Sequence, residues 1–152
     1  MFAKGEGIDI GGILTAFNQR NVSYCIIGGV AVFFHGYERA TGDLDLIIAD
    51  SQENKARALL ALESLGIHAE QTPVGRHAHL DFLIDISTGF LAVGFPRAIE
   101  NAVDGEVDGV PCKIVSKAHL IINKKAVGRL RDLNDVEELE GRSQEYIPSE
   151  GD

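Results

Sequence analysis

Residues 24–48 read YCIIGGVAVFFHGYERATGDLDLII, and this stretch decides the fold. One apolar run ends in Gly28 and Gly29, and a second begins with two aspartates, Asp43 and Asp45. Alternate residues of a strand point to the same face, so the two carboxylates can converge on one cation. Glycines at the start of a helix leave backbone N–H groups unpaired, and such groups suit a phosphate. The stretch therefore predicts a site for a metal-bound nucleoside triphosphate.

The composition indicates one compact domain. The chain has 152 residues, 45% of them hydrophobic, with 14 basic and 23 acidic residues for a net charge of -9. This balance argues against broad, charge-driven binding to nucleic acid, although an RNA end can still reach a metal-loaded pocket. Cys25 and Cys112 lack metal-ligand spacing and are expected to be reduced, buried thiols. Because no apolar run suggests a membrane span or a signal segment, we expect a cytoplasmic protein without a membrane partner.

Hydrophobic periodicity predicts alternating helices and strands. The predicted helices span residues 8–19, 30–35, 51–65, 96–101, 117–127 and 132–139. The predicted strands span residues 24–27, 43–49, 67–71, 79–86 and 90–95, followed by a hairpin over 106–115 with its turn at Asp108 and Gly109. Asp50 or Ser51 is predicted to cap the third helix, with Glu53 placed to complete a capping box with Asp50. Ser116 is predicted to cap the helix at 117–127, and residues 72–76 are predicted to form a Pro/Gly turn.

This order of elements predicts an α/β (α+β) domain in which helices flank a small mixed β-sheet. The strand that carries Asp43 and Asp45 should lie in the middle of the sheet. The domain is expected to span residues 1–141 and to be followed by a flexible acidic tail at 142–152.

A competing candidate metal site consists of His77, His79 and Asp81, which follow the pattern HxHxD. Imidazoles and carboxylates at this spacing bind zinc in metallo-hydrolases. Phe82 stands where those enzymes carry another histidine, so the nucleotide interpretation is preferred.

Two blocks and a carboxylate carry a resemblance to a known family. The blocks are IIGGVAVFFHGYERATGDLDLII at 26–48 and LIINKKAVGRLRDLNDVEEL at 120–139, and Asp81 lies on a strand between them. Together they resemble the nucleotidyltransferase superfamily that includes DNA polymerase beta. Within it the chain looks most similar to AbiEii-like proteins, the toxin halves of some bacterial toxin–antitoxin systems. The resemblance implies the nucleotidyltransferase fold.

The resemblance also implies the metal ligands. Asp43 and Asp45 match the paired carboxylates that hold a divalent metal, and Asp81 matches the third carboxylate. Asp81 would help to deprotonate the acceptor hydroxyl or bind a second metal. Asp85, on the same predicted strand face, is the alternative third carboxylate.

The resemblance assigns a second set of residues to the nucleotide. Lys124, Arg129 and Asp132 match the K, R and D of the family's KxxxGRxxD block. Lys124 or Arg129 would contact the phosphates, with Asp132 orienting them. Arg39 and Thr41 occupy a loop where the family often has these residue types, and they either contact phosphate or brace the loop. The full set of nucleotide-binding candidates is Gly28, Gly29, Arg39, Thr41, Lys124, Arg129 and Asp132.

The implied activity is a transfer dependent on Mg2+ or Mn2+, in which a nucleoside monophosphate moves from an NTP to an acceptor. An RNA or protein acceptor is favoured, as expected for the toxin of a toxin–antitoxin system. The alternatives are an antibiotic (aminoglycoside or lincosamide) nucleotidyltransferase and a non-catalytic nucleotide-binding module. An antitoxin partner or a homodimer is expected to complete the acceptor groove.

Overall fold

The computed structural model describes residues 9–37, 43–69, 71–78, 83–89 and 92–145. The helices in these ranges are α1 (Ile10–Gln19), α2 (Gly28–Phe34), α3 (Gln52–Ser64), α4 (Phe95–Glu100), α5 (Lys117–Val127) and α6 (Leu130–Glu145). The strands are β1 (Tyr24–Ile27), β2 (Asp43–Ile48), β3 (Gly75–Ala78), β4 (Leu83–Ser87), β5 (Val103–Val107) and β6 (Val110–Ile114). None of these helices is long and apolar enough to cross a membrane.

The six described strands form one mixed sheet in the order β3-β4-β2-β1-β6-β5. β2 runs antiparallel to β1 and parallel to β4, while β1 runs parallel to β6. The two outer pairs, β3 with β4 and β5 with β6, are antiparallel. The predicted mixed sheet flanked by helices is confirmed, and β2 lies in its interior as expected.

The core forms around the two central strands. Cys25 and Ile26 of β1 and Leu46 of β2 are fully buried. Strands covered on both faces read as continuous apolar runs, which explains why both were recognisable in the sequence. On one face, the ring of Phe17 in α1 meets Tyr24 edge-on at a centroid distance of 5.9 Å.

Two predicted strands do not form where they were expected. Residues 67–69 and 71 are not in a strand, because Ile67 donates its N–H to the Leu62 carbonyl at 3.0 Å and closes α3. Gly66, with φ +79°, supplies the left-handed residue that this helix ending requires. The edge strand predicted at 90–95 is also absent from residues 92–94, and Phe95 begins α4.

The described part of the strand predicted over 79–86, residues 83–86, is confirmed. β4 runs from Leu83 to Ser87, and a separate edge strand, β3, runs antiparallel to it from Gly75. The sequence suggested a turn at 72–76, since Pro73 and Gly75 are turn residues. Cross-strand pairing with β4 recruits Gly75 and Arg76 into the sheet. Residues 79–82 lie outside the described ranges.

The start of α3 matches the sequence prediction only in part, and α6 differs from it at both ends, since it begins at Leu130 and not at 132. Of the two predicted caps of α3, the structure has Ser51, whose Oγ accepts from the Asn54 N–H at 3.1 Å. Asp50 instead pairs with Lys55 at 3.0 Å, so the predicted Asp50–Glu53 capping box is wrong. α6 continues to Glu145, past the predicted end at 139.

A buried asparagine ties α3 to the central strands. The side chain of Asn54 is 2% exposed, and its Oδ1 accepts from the Ser23 N–H at 2.7 Å. Its Nδ2 donates to the carbonyls of Ser23 and Ala49, at 3.0 and 3.1 Å. Asn54 therefore joins the start of β1 to the end of β2, away from the Gly28 turn.

We expect Asn54→Ala to lower the free energy of unfolding by about 2–3 kcal/mol, because it removes these hydrogen bonds and leaves backbone groups without partners. Urea denaturation measures the change. Gln52→Ala, at an exposed position in the same helical turn, is the control and should change stability by less than about 0.5 kcal/mol. Equal stabilities for the two variants would contradict the role of Asn54.

Candidate active site

The turn from β1 into α2 brings the backbone against an aspartate. Gly28 begins α2 with φ +71°, a conformation that favours glycine. A Cβ at this position would lie 2.9 Å from the Asp45 Cβ and would collide with the Asp45 carboxylate. Ile27, the last residue of β1, pairs with Asp45 in the sheet. Only glycine therefore allows the chain to turn here beside the Asp45 carboxylate.

Three carboxylates share one face of the sheet next to this turn. Asp43 and Asp45 are two residues apart on β2, so their side chains point the same way. Asp85 is the cross-strand partner of Asp45 in the parallel β2–β4 pair. Asp43 is exposed, and Asp45 is partly buried. The face that Asp43 and Asp45 share therefore also carries a third carboxylate, Asp85 of β4.

The proximity of these acids appears in the electrostatics of Asp45. Its pKa is raised from 3.8 to about 6, most strongly by burial and then by the negative charges of Asp85 and Asp43. The positive charges of Lys124 and Arg76 act against this rise without cancelling it. Asp45 therefore carries a negative charge that its protein neighbours leave partly uncompensated.

Three of the residues predicted from the sequence lie outside the described ranges. They are Asp81, Arg39 and Thr41. Asp85, the alternative third carboxylate, lies within them and interacts electrostatically with Asp45. Gly29 follows Gly28 in the first turn of α2.

A cleft of about 260 Å3 opens between these strands and the two C-terminal helices. Gly28, Asp45 and Asp85 form part of its wall, and Lys124, Arg129 and Asp132 form another part. The two sequence blocks, at 26–48 and 120–139, thus line one cavity. The remaining lining residues are Ile27, Leu46, Ser87, Leu120, Asn123 and Val127.

Lys124 is buried in an ionic cluster between α5 and α6. Its Nζ lies 3.3 Å from Asp132 Oδ1 and 2.9 Å from Asp135 Oδ2. Both aspartates are 2% exposed. Asp135 is therefore the ionic partner of a buried base. Lys124 thereby fixes the packing of α6 on α5 as well as lining the cleft.

Arg129 is held at the cleft by the same aspartate but remains exposed. Its Nε and Nη2 donate to the two carboxylate oxygens of Asp132, at 2.6 and 3.3 Å. Burial alone would raise the pKa of Asp132, but the hydrogen bonds from Arg129 and the charge of Lys124 hold it below its ordinary value. The Arg129 side chain is 66% exposed. It can therefore reach a ligand in the cleft, while Lys124 is enclosed.

A cation that the sequence analysis missed flanks the carboxylates on the other side. Arg76 of β3 is the cross-strand partner of Asp85, and its Nε lies 3.5 Å from Asp85 Oδ2. The sequence does not predict this position of Arg76, because residues 72–76 resemble a turn and not part of a strand.

The histidine site is not supported within the described part of the chain. His77 Nε2 lies 2.7 Å from the Pro73 carbonyl oxygen, whereas His79 and Asp81 fall outside the described ranges. The described residues contain no group of three His, Cys, Asp or Glu side chains that could hold a metal ion by themselves. A magnesium ion commonly takes only one or two carboxylates and completes its shell with water and substrate phosphates. Asp45 and Asp85 fit that use, with Asp43 beside them.

No protein-family model matches the sequence, and no curated protein matches it either. Solved structures, in contrast, do match this chain. The solution structure of the antibiotic-resistance factor ANT(2'')-Ia aligns with 89% of this chain and 82% of its own, at 20% identity and a TM-score of 0.63. A crystal structure of ANT(2")-Ia in complex with adenylyl-2"-tobramycin also aligns, at 17% identity and a TM-score of 0.51, over 88% of this chain and 96% of its own.

Two further structures are similar in the same way. The lincomycin-bound lincosamide antibiotic adenylyltransferase LnuA covers 89% of this chain and 98% of its own, at 17% identity and a TM-score of 0.60. An antigenic nucleotidyltransferase-like protein from Paracoccidioides brasiliensis covers 86% of this chain and 73% of its own, at 14% identity and a TM-score of 0.58. At these identities the likeness shows the fold alone, and that fold is the one of nucleotidyltransferases.

Proposed function

We propose that this protein transfers a nucleoside monophosphate from a nucleoside triphosphate to an acceptor hydroxyl, with a divalent cation. The observation that carries the proposal is the row of Asp43, Asp45 and Asp85 beside the Gly28 turn. The same cleft presents Arg129, whose exposed guanidinium suits a phosphate. The shared fold of the nucleotidyltransferases supports it.

The carboxylates suit Mg2+ or Mn2+ by their chemistry. Carboxylate oxygens are the ligands that hard divalent cations prefer, and the raised pKa of Asp45 marks negative charge that a cation would neutralise. When bound, the cation would neutralise phosphate charge and orient the attacking oxygen. Gly28 leaves room beside Asp45 that any side chain would fill.

In the proposed reaction the acceptor oxygen forms a bond to the α-phosphorus. The bond from that phosphorus to the bridging oxygen of the β-phosphate breaks, and pyrophosphate leaves. The hydroxyl proton passes to a carboxylate of the site. We assign this role to Asp85, because it lies beside Asp45, with Asp81 as the competing residue that the family resemblance implies.

The remaining residues bind the nucleotide. Arg129 contacts the phosphates and Asp132 orients it, while Lys124 holds α5 and α6 in place at the cleft wall. Gly29 provides a backbone N–H near the phosphates. Arg39 and Thr41, which precede β2 in the sequence, are proposed either to contact the phosphates or to brace the chain there, as the family resemblance implies.

For the acceptor we propose an RNA or protein hydroxyl, in a toxin-like role with an antitoxin partner or a second copy of the chain. A specific observation favours a second candidate. The neighbours include an adenylyltransferase with bound lincomycin and a complex with adenylyl-2"-tobramycin, so an antibiotic is the alternative acceptor.

Incubation with each α-labelled NTP, Mg2+ or Mn2+ and one acceptor at a time tests the activity. The acceptors are total RNA, a protein extract, tobramycin and lincomycin. We expect label on one class of acceptor, and we expect Asp45→Asn and Asp85→Asn to reduce transfer by about 100-fold or more, because each removes a carboxylate from the reacting centre. Label on an antibiotic alone would select the second candidate.

Two variants make this assay specific. Asp50→Asn removes an exposed carboxylate that pairs with Lys55 on α3, and it should leave transfer within about twofold of wild type.

Asp81→Asn should reduce transfer less than Asp85→Asn does, and the reverse order would assign the role of third carboxylate to Asp81. Full activity in Asp45→Asn would overturn the proposed site. Stabilisation by NTP and Mg2+ without any transfer would indicate a non-catalytic binding module.

The raised pKa of Asp45 predicts a pH-dependent cost in the metal-free protein. Because the pKa of Asp45 is higher in the folded state, the folded state binds this proton more tightly than the unfolded state does. The free energy of unfolding therefore falls as the pH rises from about 4 through about 6. Asp45→Asn removes the ionisation. Without metal at about pH 8 it should raise the free energy of unfolding by about 1–3 kcal/mol, and the gain should shrink towards pH 4.

Denaturation with EDTA at several pH values measures this change. Addition of Mg2+ or Mn2+ should stabilise wild type at about pH 8 and leave Asp45→Asn nearly unchanged, because the cation neutralises the charge that the variant lacks. A loss of stability in Asp45→Asn at every pH would show that the carboxylate is instead a structural anchor.

A further inference from the structure

A line of paired residues crosses three strands on the carboxylate face of the sheet. Asp45 of β2 pairs with Asp85 of β4, and Asp85 pairs with Arg76 of β3. Cross-strand partners lie on the same face, so the guanidinium of Arg76 stands beside the two carboxylates at the outer end of this line. Its Nε lies 3.5 Å from Asp85 Oδ2.

Arg76 is held differently from the other cations near the site. Lys124 contacts two buried aspartates and is 10% exposed. Arg129 donates two hydrogen bonds to Asp132. Arg76 makes one long contact, through Nε, and its side chain is 74% exposed. An exposed pair of this kind separates easily, because water solvates both charges.

The position of Arg76 disfavours the binding of a cation to Asp85. A divalent ion bridging Asp45 and Asp85 would stand close to the guanidinium, and the two positive charges would repel each other. Both positive charges are attracted to the Asp85 carboxylate, so the guanidinium weakens the attraction of Asp85 for a cation.

We propose that Arg76 is an internal counter-ion of the metal site, which occupies Asp85 in the metal-free protein and leaves when a divalent cation binds Asp45 and Asp85. This inference rests on the proposed function. Arg76 thereby lowers the affinity for the cation alone. A cation that arrives with a triphosphate also brings phosphate oxygens, so it displaces the guanidinium more readily. The released guanidinium can then pair with those phosphates.

Binding of Mn2+ alone tests the inference, with the unbound ion measured by its electron paramagnetic resonance signal. Arg76→Gln should bind Mn2+ about two- to fivefold more tightly than wild type, because it removes the competing positive charge. Arg57→Gln makes the same change of charge at an exposed position on α3, and it should leave the affinity within about 1.5-fold of wild type. Arg76→Lys keeps the charge and should bind Mn2+ less tightly than Arg76→Gln.

The outcomes separate the two proposals. If wild type binds Mn2+ and Asp85→Asn weakens that binding, the metal site stands, and an Arg76→Gln affinity equal to or weaker than wild type overturns the counter-ion. If Asp45→Asn and Asp85→Asn bind Mn2+ as wild type does, the metal site and the counter-ion both fail. Equal tightening in Arg57→Gln and Arg76→Gln would reduce the effect to net charge and also overturn the inference.

Discussion

The close approach of the Gly28 backbone to the Asp45 carboxylate is the contact on which the rest of the site depends. The antiparallel β1–β2 pairing sets Ile27 opposite Asp45, so the chain must turn into α2 directly beside the carboxylate. A side chain at Gly28 would occupy that space. The parallel pairing of β2 with β4 then adds Asp85 on the same face. The sheet register thus determines the position of the proposed metal ligands.

The two sides of the cleft differ in how far the protein neutralises their charged groups. Between α5 and α6, Lys124 is matched by Asp132 and Asp135, so the cluster is compensated within the protein and fixes the two helices. On the sheet, Asp45 stays partly uncompensated, with a pKa raised to about 6. A charge cluster that is neutralised within the protein therefore faces a carboxylate row that is only partly compensated, and this asymmetry suits the metal-bound nucleotide that we propose.

The sequence predicts the features that depend on short-range signals. The Gly28 turn, the Asp108–Gly109 hairpin and the Ser116 cap of α5 each follow from a few adjacent residues, and all three are observed. The position of Asp85 beside Asp45 and the pairing with Arg76 depend on strand register, which local periodicity does not encode. The burial of Lys124 likewise depends on how α6 packs on α5. The contacts of Asp85, Arg76 and Lys124 therefore follow from long-range packing and not from local sequence signals.

The most direct test of a metal site formed by β2 and β4 is a titration of the isotope-labelled protein with substoichiometric Mn2+, followed by amide resonances. A site at the carboxylates predicts that the signals of Gly28, Asp45 and Asp85 broaden first, while those of α3 residues such as Ala58 broaden last. The acidic helix α6 is the competing location for a cation. Early broadening at Glu137, Glu138 and Glu140, with sharp signals at Asp45 and Asp85, would contradict the site.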